Sequence, residues 1–180
     1  YGTVKFNAQQ KILFNQLYWE KEFEKQSMLL GLAYRYTWYD DNTLITQTND
    51  SVNPKNKPNN VALPGIFIQD EIKFNCNHKI LLGFRYDYNQ LHGNIYTPRF
   101  AYKWAINSKN ILRFNSGTGY RVANVFSEDH AALTGSRDVI IVSDLKPEQS
   151  INANLNYVTK FYKEKFNFGI DISAFYTRFS

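Results

Sequence analysis

The sequence contains little cysteine and no long apolar run, and both absences limit the possible classes of protein. A single cysteine, Cys76, cannot form an internal disulfide framework. No run approaches the ~20 consecutive apolar residues of a membrane-spanning helix, which excludes a helical membrane protein. This absence leaves a membrane β-barrel open, because a barrel strand needs only ~10 residues of alternating polarity.

The net charge is modest and dispersed. The chain has 21 Lys and Arg against 16 Asp and Glu, which gives a net charge of +5. The basic residues are scattered through alternating segments and turns rather than gathered in one stripe, which argues against nucleic-acid binding. Aromatic residues, mostly Tyr and Phe, make up 17% of the chain, and both β-strands and membrane interfaces favour them.

The clearest pattern in the sequence is an alternation of apolar and polar residues between Ile80 and Trp104. A short polar break over residues 90–94 divides this stretch into two halves. Because successive side chains on a strand point to opposite faces, the pattern predicts a hairpin with one apolar and one charged face. A soluble sandwich would bury the apolar face. A membrane barrel would turn it to lipid and line its lumen with the charged face.

The same alternation predicts further strands over residues 11–23, 28–39, 66–74, 111–116, 149–161 and 166–177, eight in total. Tight turns are predicted near residues 25, 77, 109 and 163, and longer connections over residues 40–63, near 92 and over 117–148. Short and long connections therefore alternate strictly. This order is typical of an all-β, antiparallel up-and-down transmembrane β-barrel, which has short periplasmic turns and long outer loops.

The spacing of aromatic residues gives the same prediction. Aromatic side chains on the apolar face gather near both ends of the strands, and mostly aliphatic residues lie between them, as in a barrel with two interfacial girdles. The opposite face is polar and of mixed sign. Its charged members predicted to face the lumen are Arg35, Arg85, Asp87, Arg99 and Lys103. In one plausible register Asp87 lies opposite Arg99 across the hairpin and offsets its charge.

The segment from Tyr120 to His130 is the densest in functional groups, but it carries no recognisable catalytic motif. Glu128, Asp129 and His130 are consecutive, and three consecutive residues rarely point at one ion, so a solvated loop is favoured over a metal site. No Gly-x-Ser-x-Gly nucleophile motif and no phosphate-binding loop are present. The sequence therefore predicts no enzyme activity, no cofactor and no bound metal.

Five short motifs follow one another along the chain. They are Phe67-Ile68-Gln69-Asp70-Glu71-Ile72, Leu82-Gly83-Phe84-Arg85-Tyr86-Asp87, Thr97-Pro98-Arg99-Phe100, Gly117-Thr118-Gly119-Tyr120-Arg121-Val122-Ala123-Asn124-Val125-Phe126 and Leu145-Lys146-Pro147-Glu148-Gln149-Ser150. In this order they resemble the barrel of TonB-dependent outer-membrane receptors, most closely the receptors of Bacteroidetes-type bacteria. The resemblance runs from Met28 to the C-terminus.

The resemblance implies a 22-stranded barrel plugged by an N-terminal globular domain. Residues 1–180 would then be a segment of a longer protein, supplying about eight strands and lacking the plug. The implied function is active uptake of a scarce, bulky nutrient, such as a ferric siderophore or cobalamin, across the outer membrane of a Gram-negative bacterium. The implied partners are TonB, reached through the missing plug, outer-membrane lipid, and the metal chelate or vitamin itself.

In that family the ligand contacts come from the plug apex and the outer loops, so the resemblance implies ligand contacts in the loop following Gly119. The candidate ligand-binding residues are Tyr120, Arg121, Asn124, Phe126, Glu128, His130 and Arg137. For Arg121, with Pro147 and Glu148, a role in barrel architecture is favoured over ligand contact.

Three other functions stay open at this point. The chain could be a complete eight-stranded outer-membrane barrel with a structural or adhesive role, because a barrel of that size fills its interior with side chains. It could be a soluble ligand-binding β-barrel, although no amphipathic helix is available to cover its apolar face. It could also be an outer-membrane hydrolase, which would require a catalytic dyad at the rim that includes His130.

Overall fold

The protein forms a single antiparallel β-sheet. The computed structural model describes residues 7–41, 46, 53, 55–121, 147–163 and 166–179. The strands are β1 (Ala8–Glu22), β2 (Gln26–Asp41), β3 (Asn59–Lys73), β4 (His78–Asn89), β5 (Gly93–Ala105), β6 (Asn110–Arg121), β7 (Glu148–Lys163) and β8 (Phe166–Phe179). They pair in chain order from β1 to β8, and within the described residues β1 and β8 do not pair with each other. The sheet is therefore open.

The eight predicted strands are confirmed, and the boundaries that differ most from the prediction are the start of β3 and the end of β6. Strand β3 begins at Asn59, so the last part of the loop predicted over residues 40–63 is strand. Strand β6 continues to Arg121, so the irregular segment predicted from residue 117 begins with strand. Gly117 and Gly119 resemble strand breakers in the sequence, yet both pair with β7. A Cβ on Gly119 would lie 2.6 Å from Ser150 Oγ, so this glycine allows a close approach between neighbouring strands.

Asparagine side chains close three of the turns. In each case the Asn Oδ1 accepts hydrogen bonds from the backbone N–H groups two and three residues later, which is the geometry of an Asx-turn. Asn75 accepts from Asn77 and His78, Asn89 from Leu91 and His92, and Asn107 from Lys109 and Asn110, with N···O distances of 2.8–3.2 Å. The asparagine caps are local to each turn, and Asn77 O and Lys109 O of two of these turns also accept backbone hydrogen bonds from Ala105 and Lys160 on neighbouring strands.

The β4–β5 connection is shorter than its sequence indicates. Strand β4 ends at Asn89, directly opposite Gly93, and only residues 90–92 form the turn. Gly93 has φ of +75°, a conformation that glycine adopts at little cost. The predicted five-residue break near residue 92 is therefore wrong, and long and short connections do not alternate strictly.

This turn also fixes the register of the hairpin. Because Asn89 pairs with Gly93, Asp87 lies opposite Ile95 and Arg99 lies opposite Gly83. The predicted pairing of Asp87 with Arg99 is therefore wrong. Turn length determines register, and turn length is what the sequence pattern estimated badly.

The sheet has two distinct faces, because residues directly opposite each other in the register share a face. We define the apolar face by Leu30, Leu32, Ile66, Ile68, Leu82, Phe84, Tyr96, Leu155 and Ile172. We define the polar face by Arg35, Gln69, Arg85, Asp87, Arg99, Lys103, Arg113 and Asn152. The alternation seen in the sequence is thus realised as two surfaces of one sheet.

No second layer covers the apolar face in the part of the chain that the structure describes. Leu17 on β1 is 72% exposed and Ile151 on β7 is 61% exposed, and the strands between them carry exposed leucine, isoleucine and aromatic residues as well. Among the described residues only Ala33 and Ile95 are buried hydrophobic residues. A soluble domain rarely exposes so continuous an apolar surface, so the soluble-barrel hypothesis is not supported by this sheet. The described residues include no helix long and apolar enough to cross a membrane.

Candidate functional site

The candidate site lies on the polar face of strands β2 to β7. The register places all five predicted lumen residues, Arg35, Arg85, Asp87, Arg99 and Lys103, on this one face. A cavity of about 560 Å³ opens around the middle of the sheet, and its polar-face lining includes Gln16, Phe67, Gln69, Arg85, Arg99 and Asn152. Arginine and amide side chains therefore converge on one open cavity.

Arg85 and Asp87, two residues apart on β4, form a two-pronged ion pair. Arg85 Nε donates to Asp87 Oδ2 at 2.7 Å, and Arg85 Nη2 donates to Asp87 Oδ1 at 2.8 Å. The Asp87 side chain is only 9% exposed, whereas that of Arg85 is 39% exposed. A paired, parallel geometry of this kind is among the strongest hydrogen-bonding arrangements that arginine makes.

Two glycines make room for this ion pair. A Cβ on Gly65, which lies opposite Asp87 on β3, would collide with Asp87 Oδ1. A Cβ on Gly31 of β2 would collide with the ring of Phe67, the residue opposite it on β3. The Arg85 guanidinium carbon is 6.0 Å from the centre of the same Phe67 ring. Arg85 is thus held by a carboxylate on one side and a ring on the other.

Arg99 has the opposite environment. It lies between two glycines, Gly83 on β4 and Gly117 on β6, and its side chain is exposed. A Cβ on Gly83 would be 3.5 Å from Arg99 Cβ and one on Gly117 would be 3.9 Å from it, so neither position is closed by a collision with the Arg99 side chain. A Cβ on Gly117 would lie closer, at 3.3 Å, to Pro98 O. Within the described residues no hydrogen bond or ion pair of the Arg99 guanidinium is present. The guanidinium is therefore available to an anion.

Arg35 is a second exposed arginine on this face. It lies opposite Phe14 on β1 and Leu63 on β3, and neither neighbour can offset its charge. In the described ranges it makes no ion pair. Arg35 and Arg99 thus give the polar face two cations that are not neutralised by neighbouring side chains.

At the end of the sheet away from the short turns, the predicted ligand residues separate. Arg121 lies on the polar face, opposite Glu148, and its Nε is 3.2 Å from Glu148 Oε2. Tyr120, one residue earlier, lies on the apolar face opposite Gln149. The structure therefore does not bring Tyr120 and Arg121 together. The other predicted ligand residues, Asn124, Phe126, Glu128, His130 and Arg137, lie outside the described residues.

The supporting residues of the site were not predicted. Gly65 leaves room for the Asp87 carboxylate, and Gly31 leaves room for the Phe67 ring beside Arg85. Phe67 belongs to a motif quoted from the sequence, but that motif did not indicate this role, and neither glycine belongs to a motif. A signal does exist, because each glycine lies directly opposite a large or charged side chain, but that signal appears only when the strand register is known. In the described residues no group of three or more His, Cys, Asp or Glu side chains could hold a metal ion.

The family model described as "TonB dependent receptor-like, beta-barrel" matches residues 1–180. This chain belongs to that family. Membership in this receptor family confirms the predicted resemblance and the antiparallel barrel fold, and it identifies this TonB-dependent receptor barrel as a component of the Gram-negative outer membrane. The predicted total of 22 strands stays a prediction.

Three proteins that are similar to this receptor barrel in sequence or in structure each match most of this chain. It is 24% identical over 139 residues to the iron-regulated outer membrane virulence protein of Vibrio cholerae, which covers 76% of this chain and 21% of that protein. A ferric enterobactin receptor structure from Pseudomonas aeruginosa has a TM-score of 0.73 and 14% identity over 96% of this chain and 27% of its own. The siderophore receptor PirA of Acinetobacter baumannii has a TM-score of 0.68 and 18% identity, with 97% and 27% coverage. At these identities the structural likeness shows the fold, and the chain spans about a fifth to a quarter of these proteins.

Proposed function

We propose that this chain forms part of the wall of a TonB-dependent transporter that takes up a ferric siderophore. The observation that carries the proposal is Arg99, an exposed arginine beside an open cavity of about 560 Å³ on the polar face. Many ferric siderophores are anionic chelates, and an arginine fork binds oxygen anions through several donors at once. The names of the Vibrio relative and of the solved receptors support iron as the cargo.

In this proposal the two faces have separate roles. The polar face lines the lumen, and the apolar face contacts outer-membrane lipid, as in other membrane barrels. Internal ion pairs neutralise part of the charge on the polar face, and Arg35 and Arg99 are among the cations left to attract an anionic cargo. TonB, an N-terminal plug and further strands toward a total of 22 belong to the rest of the receptor.

The outer loop after β6 supplies the remaining contacts in this proposal. Arg121 is held by Glu148, so its primary role is to join β6 and β7 at the rim. The candidates beyond it are Asn124, Phe126, Glu128, His130 and Arg137, which combine hydrogen-bond donors and acceptors with an aromatic ring. Tyr120 faces away from the lumen and is not expected to contact cargo from β6.

A complete eight-stranded barrel is less well supported. Such a barrel must pair its first and last strands, and β1 and β8 do not pair in the described structure. Each leaves one backbone edge open, which is the arrangement expected of strands with further neighbours in a larger sheet.

The test is uptake of radiolabelled ferric siderophores by cells that express the full receptor. Arg99→Gln should lower uptake and binding of the cargo about tenfold, because a hydrogen bond to a charged group contributes roughly 1.5–3 kcal/mol. Arg99→Lys keeps the charge and should retain part of the activity. The control is Lys11→Gln, which removes the same charge from the apolar face of β1.

Ferric catecholates, ferric hydroxamates and cobalamin should be tested in parallel. Uptake of any ferric chelate that requires Arg99 supports the proposal and identifies the chelate class. Uptake of cobalamin alone, or uptake unaffected by Arg99→Gln, would contradict it.

A further inference from the structure

Asp70 on β3 is an acidic residue on the apolar face of the sheet. It lies directly opposite Met28 on β2 and Leu82 on β4. Both pairings run through Asp70 without an inserted residue, so no β-bulge turns its side chain toward the polar face. A charged side chain on the lipid-facing side of a barrel is destabilising by an amount that depends on its depth. A carboxylate in this position therefore points to a polar partner.

The Asp70 carboxylate is only partly satisfied by the sheet. Gln26 Nε2, on β2, donates a hydrogen bond to Asp70 Oδ2. The other oxygen, Oδ1, is enclosed by protein atoms, and no group of the described residues donates to it. Among those residues Asp70 has no ion pair either. Because enclosed carboxylate oxygens are normally hydrogen-bonded, a positively charged donor would satisfy both the charge and the second oxygen of Asp70.

A groove on the apolar face begins at Asp70, and we call it the lipid-face groove. It has a volume of about 490 Å³ and continues from Asp70 toward the ends of the strands that lie away from the short turns. The hydroxyls of Ser116 and Thr118 lie in the groove, but they donate to the backbone oxygens of Asn152 and Tyr96. Much of the remaining lining is apolar and includes Ile68, Leu82, Phe84, Pro98, Phe100 and Ile151. The groove therefore offers a hydrocarbon surface that has a carboxylate at one end.

Asp70 lies near the short-turn end of the sheet, which is the periplasmic end of a membrane barrel. It is three residues before Lys73, the last residue of β3. Three residues span about 10 Å of strand, and the tilt of barrel strands reduces this to about 7 Å along the membrane normal. Tyr102 and Trp104 lie at the same end of the same face, and such residues mark the headgroup level of a bilayer. A lipid headgroup at this end of the sheet would therefore reach Asp70.

A cation lies beside Asp70 on the same face. Lys21 on β1 is opposite Met28, and Met28 is opposite Asp70, so the three residues form one row across β1, β2 and β3. The two outer strands of this row are about 10 Å apart. The exposed Lys21 side chain forms no ion pair in the described ranges, and its Nζ lies 5.1 Å from the centre of the Phe23 ring. The apolar face thus presents a positive and a negative charge separated by one strand.

We propose that Asp70, Lys21 and the lipid-face groove bind one zwitterionic aminophospholipid of the periplasmic leaflet. The primary ammonium of phosphatidylethanolamine has three N–H donors, and rotation of the Asp70 side chain would present Oδ1 to it. The phosphate lies toward Lys21, and an acyl chain follows the groove from Asp70 toward the middle of the bilayer. This inference rests on the proposed contact between the apolar face and lipid, and it is independent of the transported cargo.

Charge complementarity selects this headgroup over an anionic one. Phosphatidylglycerol has the phosphate but no ammonium, so Asp70 would repel it while Lys21 attracts it. Phosphatidylcholine has both charges, but its trimethylammonium group has no N–H to donate to Asp70. The site therefore predicts that phosphatidylethanolamine binds most tightly, phosphatidylcholine less tightly and phosphatidylglycerol most weakly.

Native mass spectrometry of the full receptor in detergent tests this order. The receptor is first stripped of its lipids and then titrated with each phospholipid, all with the same acyl chains. The wild-type receptor should bind phosphatidylethanolamine about tenfold more tightly than phosphatidylglycerol. Asp70→Asn keeps an acceptor for Gln26 but removes the charge, so it should bring the two affinities within about twofold of each other.

Matched variants separate the headgroup contacts from the chain contact. Glu71→Gln removes a carboxylate from the next residue, which lies on the polar face, and should leave the preference for phosphatidylethanolamine unchanged. Lys21→Gln should weaken both phospholipids, whereas Lys11→Gln, at the other end of the same face, should not. Ser116→Leu places a larger side chain in the groove and should weaken both phospholipids by about threefold.

Several outcomes would overturn the proposal. They are equal binding of phosphatidylethanolamine and phosphatidylglycerol by the wild type, an Asp70→Asn receptor that keeps the preference, and phosphatidylcholine bound as tightly as phosphatidylethanolamine. A dimer of the receptor that excludes the lipid from this face would do the same. A receptor that bound no phospholipid of any class would overturn the proposed lipid contact as well. A receptor that binds no ferric siderophore would overturn only the proposed cargo and leave this test intact.

Discussion

Two arginines on neighbouring strands of one face have contrasting surroundings. Arg85 on β4 is paired with Asp87 and lies beside Phe67. Gly65 leaves room for the Asp87 carboxylate, and Gly31 leaves room for the Phe67 ring. Arg99 on β5 projects between two glycines with space around it and no charged partner among the described residues. An arginine that is paired with a carboxylate of its own sheet stabilises the barrel wall, whereas an arginine without such a partner is available to bind a ligand.

The largest expected effect comes from filling the space beneath Asp87. Gly65→Val would force the Asp87 carboxylate away from Arg85, and we expect the receptor to lose about 2 kcal/mol of unfolding free energy. Chemical unfolding in detergent measures this loss. Gly169→Ala is the control, because a Cβ there meets only Thr159 O at an ordinary 3.7 Å. If both variants lost the same unfolding free energy, Gly65 would be no more important to the fold than Gly169.

Asp87→Asn should make Arg85 resemble Arg99. Loss of the carboxylate charge should lower the unfolding free energy by about 1 kcal/mol, a modest value because the Arg85 side chain is 39% exposed and partly screened. The released guanidinium should also increase the affinity for an anionic ferric chelate, measured by equilibrium binding. Arg85→Gln serves as the matched variant, and it should lower stability without lowering uptake. A fall in affinity on Asp87→Asn would contradict the assignment of Arg85 to the wall.

The β4–β5 turn sets the register that gives Arg85 and Arg99 their different surroundings. Destabilising this turn should therefore make their environments less distinct. Asn89→Ala removes the acceptor for the N–H groups of Leu91 and His92, which should destabilise the hairpin by about 1 kcal/mol. Hydrogen exchange of the β4 and β5 amides should report faster opening. Asn94→Ala, on the same hairpin, is a control, because among the described residues its side chain accepts a hydrogen bond from the Tyr86 hydroxyl and does not cap the turn. Unchanged exchange in Asn89→Ala would mean that the turn does not depend on this cap.

The smallest effect is expected at Gly83. A Cβ there would lie 3.5 Å from Arg99 Cβ, so Gly83→Ala should change the unfolding free energy by less than about 0.5 kcal/mol. Binding of the ferric chelate should fall slightly, because the new methyl group narrows the space around Arg99. A stability loss as large as that of Gly65→Val would show that Arg99 is as tightly packed as Asp87.

Most strands could be predicted from the sequence because they have one apolar and one polar face. The alternation from Ile80 to Trp104 reflects a real boundary between apolar and polar surfaces, and it therefore located β4 and β5 correctly. Alternation alone does not determine which residue lies opposite which. The Asp87–Arg99 prediction failed because a three-residue turn set a register that no local pattern encodes.

The candidate site was predictable in part for the same reason. The five charged residues predicted for the polar face do share that face, because side chains along a strand point alternately to its two faces. Tyr120 was grouped with Arg121 as a loop residue, but β6 continues through both, and adjacent strand residues point in opposite directions. The glycines that support Arg85 could not be recognised, since their purpose depends on side chains from neighbouring strands.

The asparagine-capped turns have a consequence for how the wall is assembled. Asn75, Asn89 and Asn107 each cap backbone N–H groups two and three residues later, and within the described residues every strand pairs only with its neighbours in the chain. Each hairpin can therefore close locally, before distant strands are present. A wall made in this way can be widened or narrowed by inserting or deleting one hairpin, and the contacts within the remaining hairpins stay as they are.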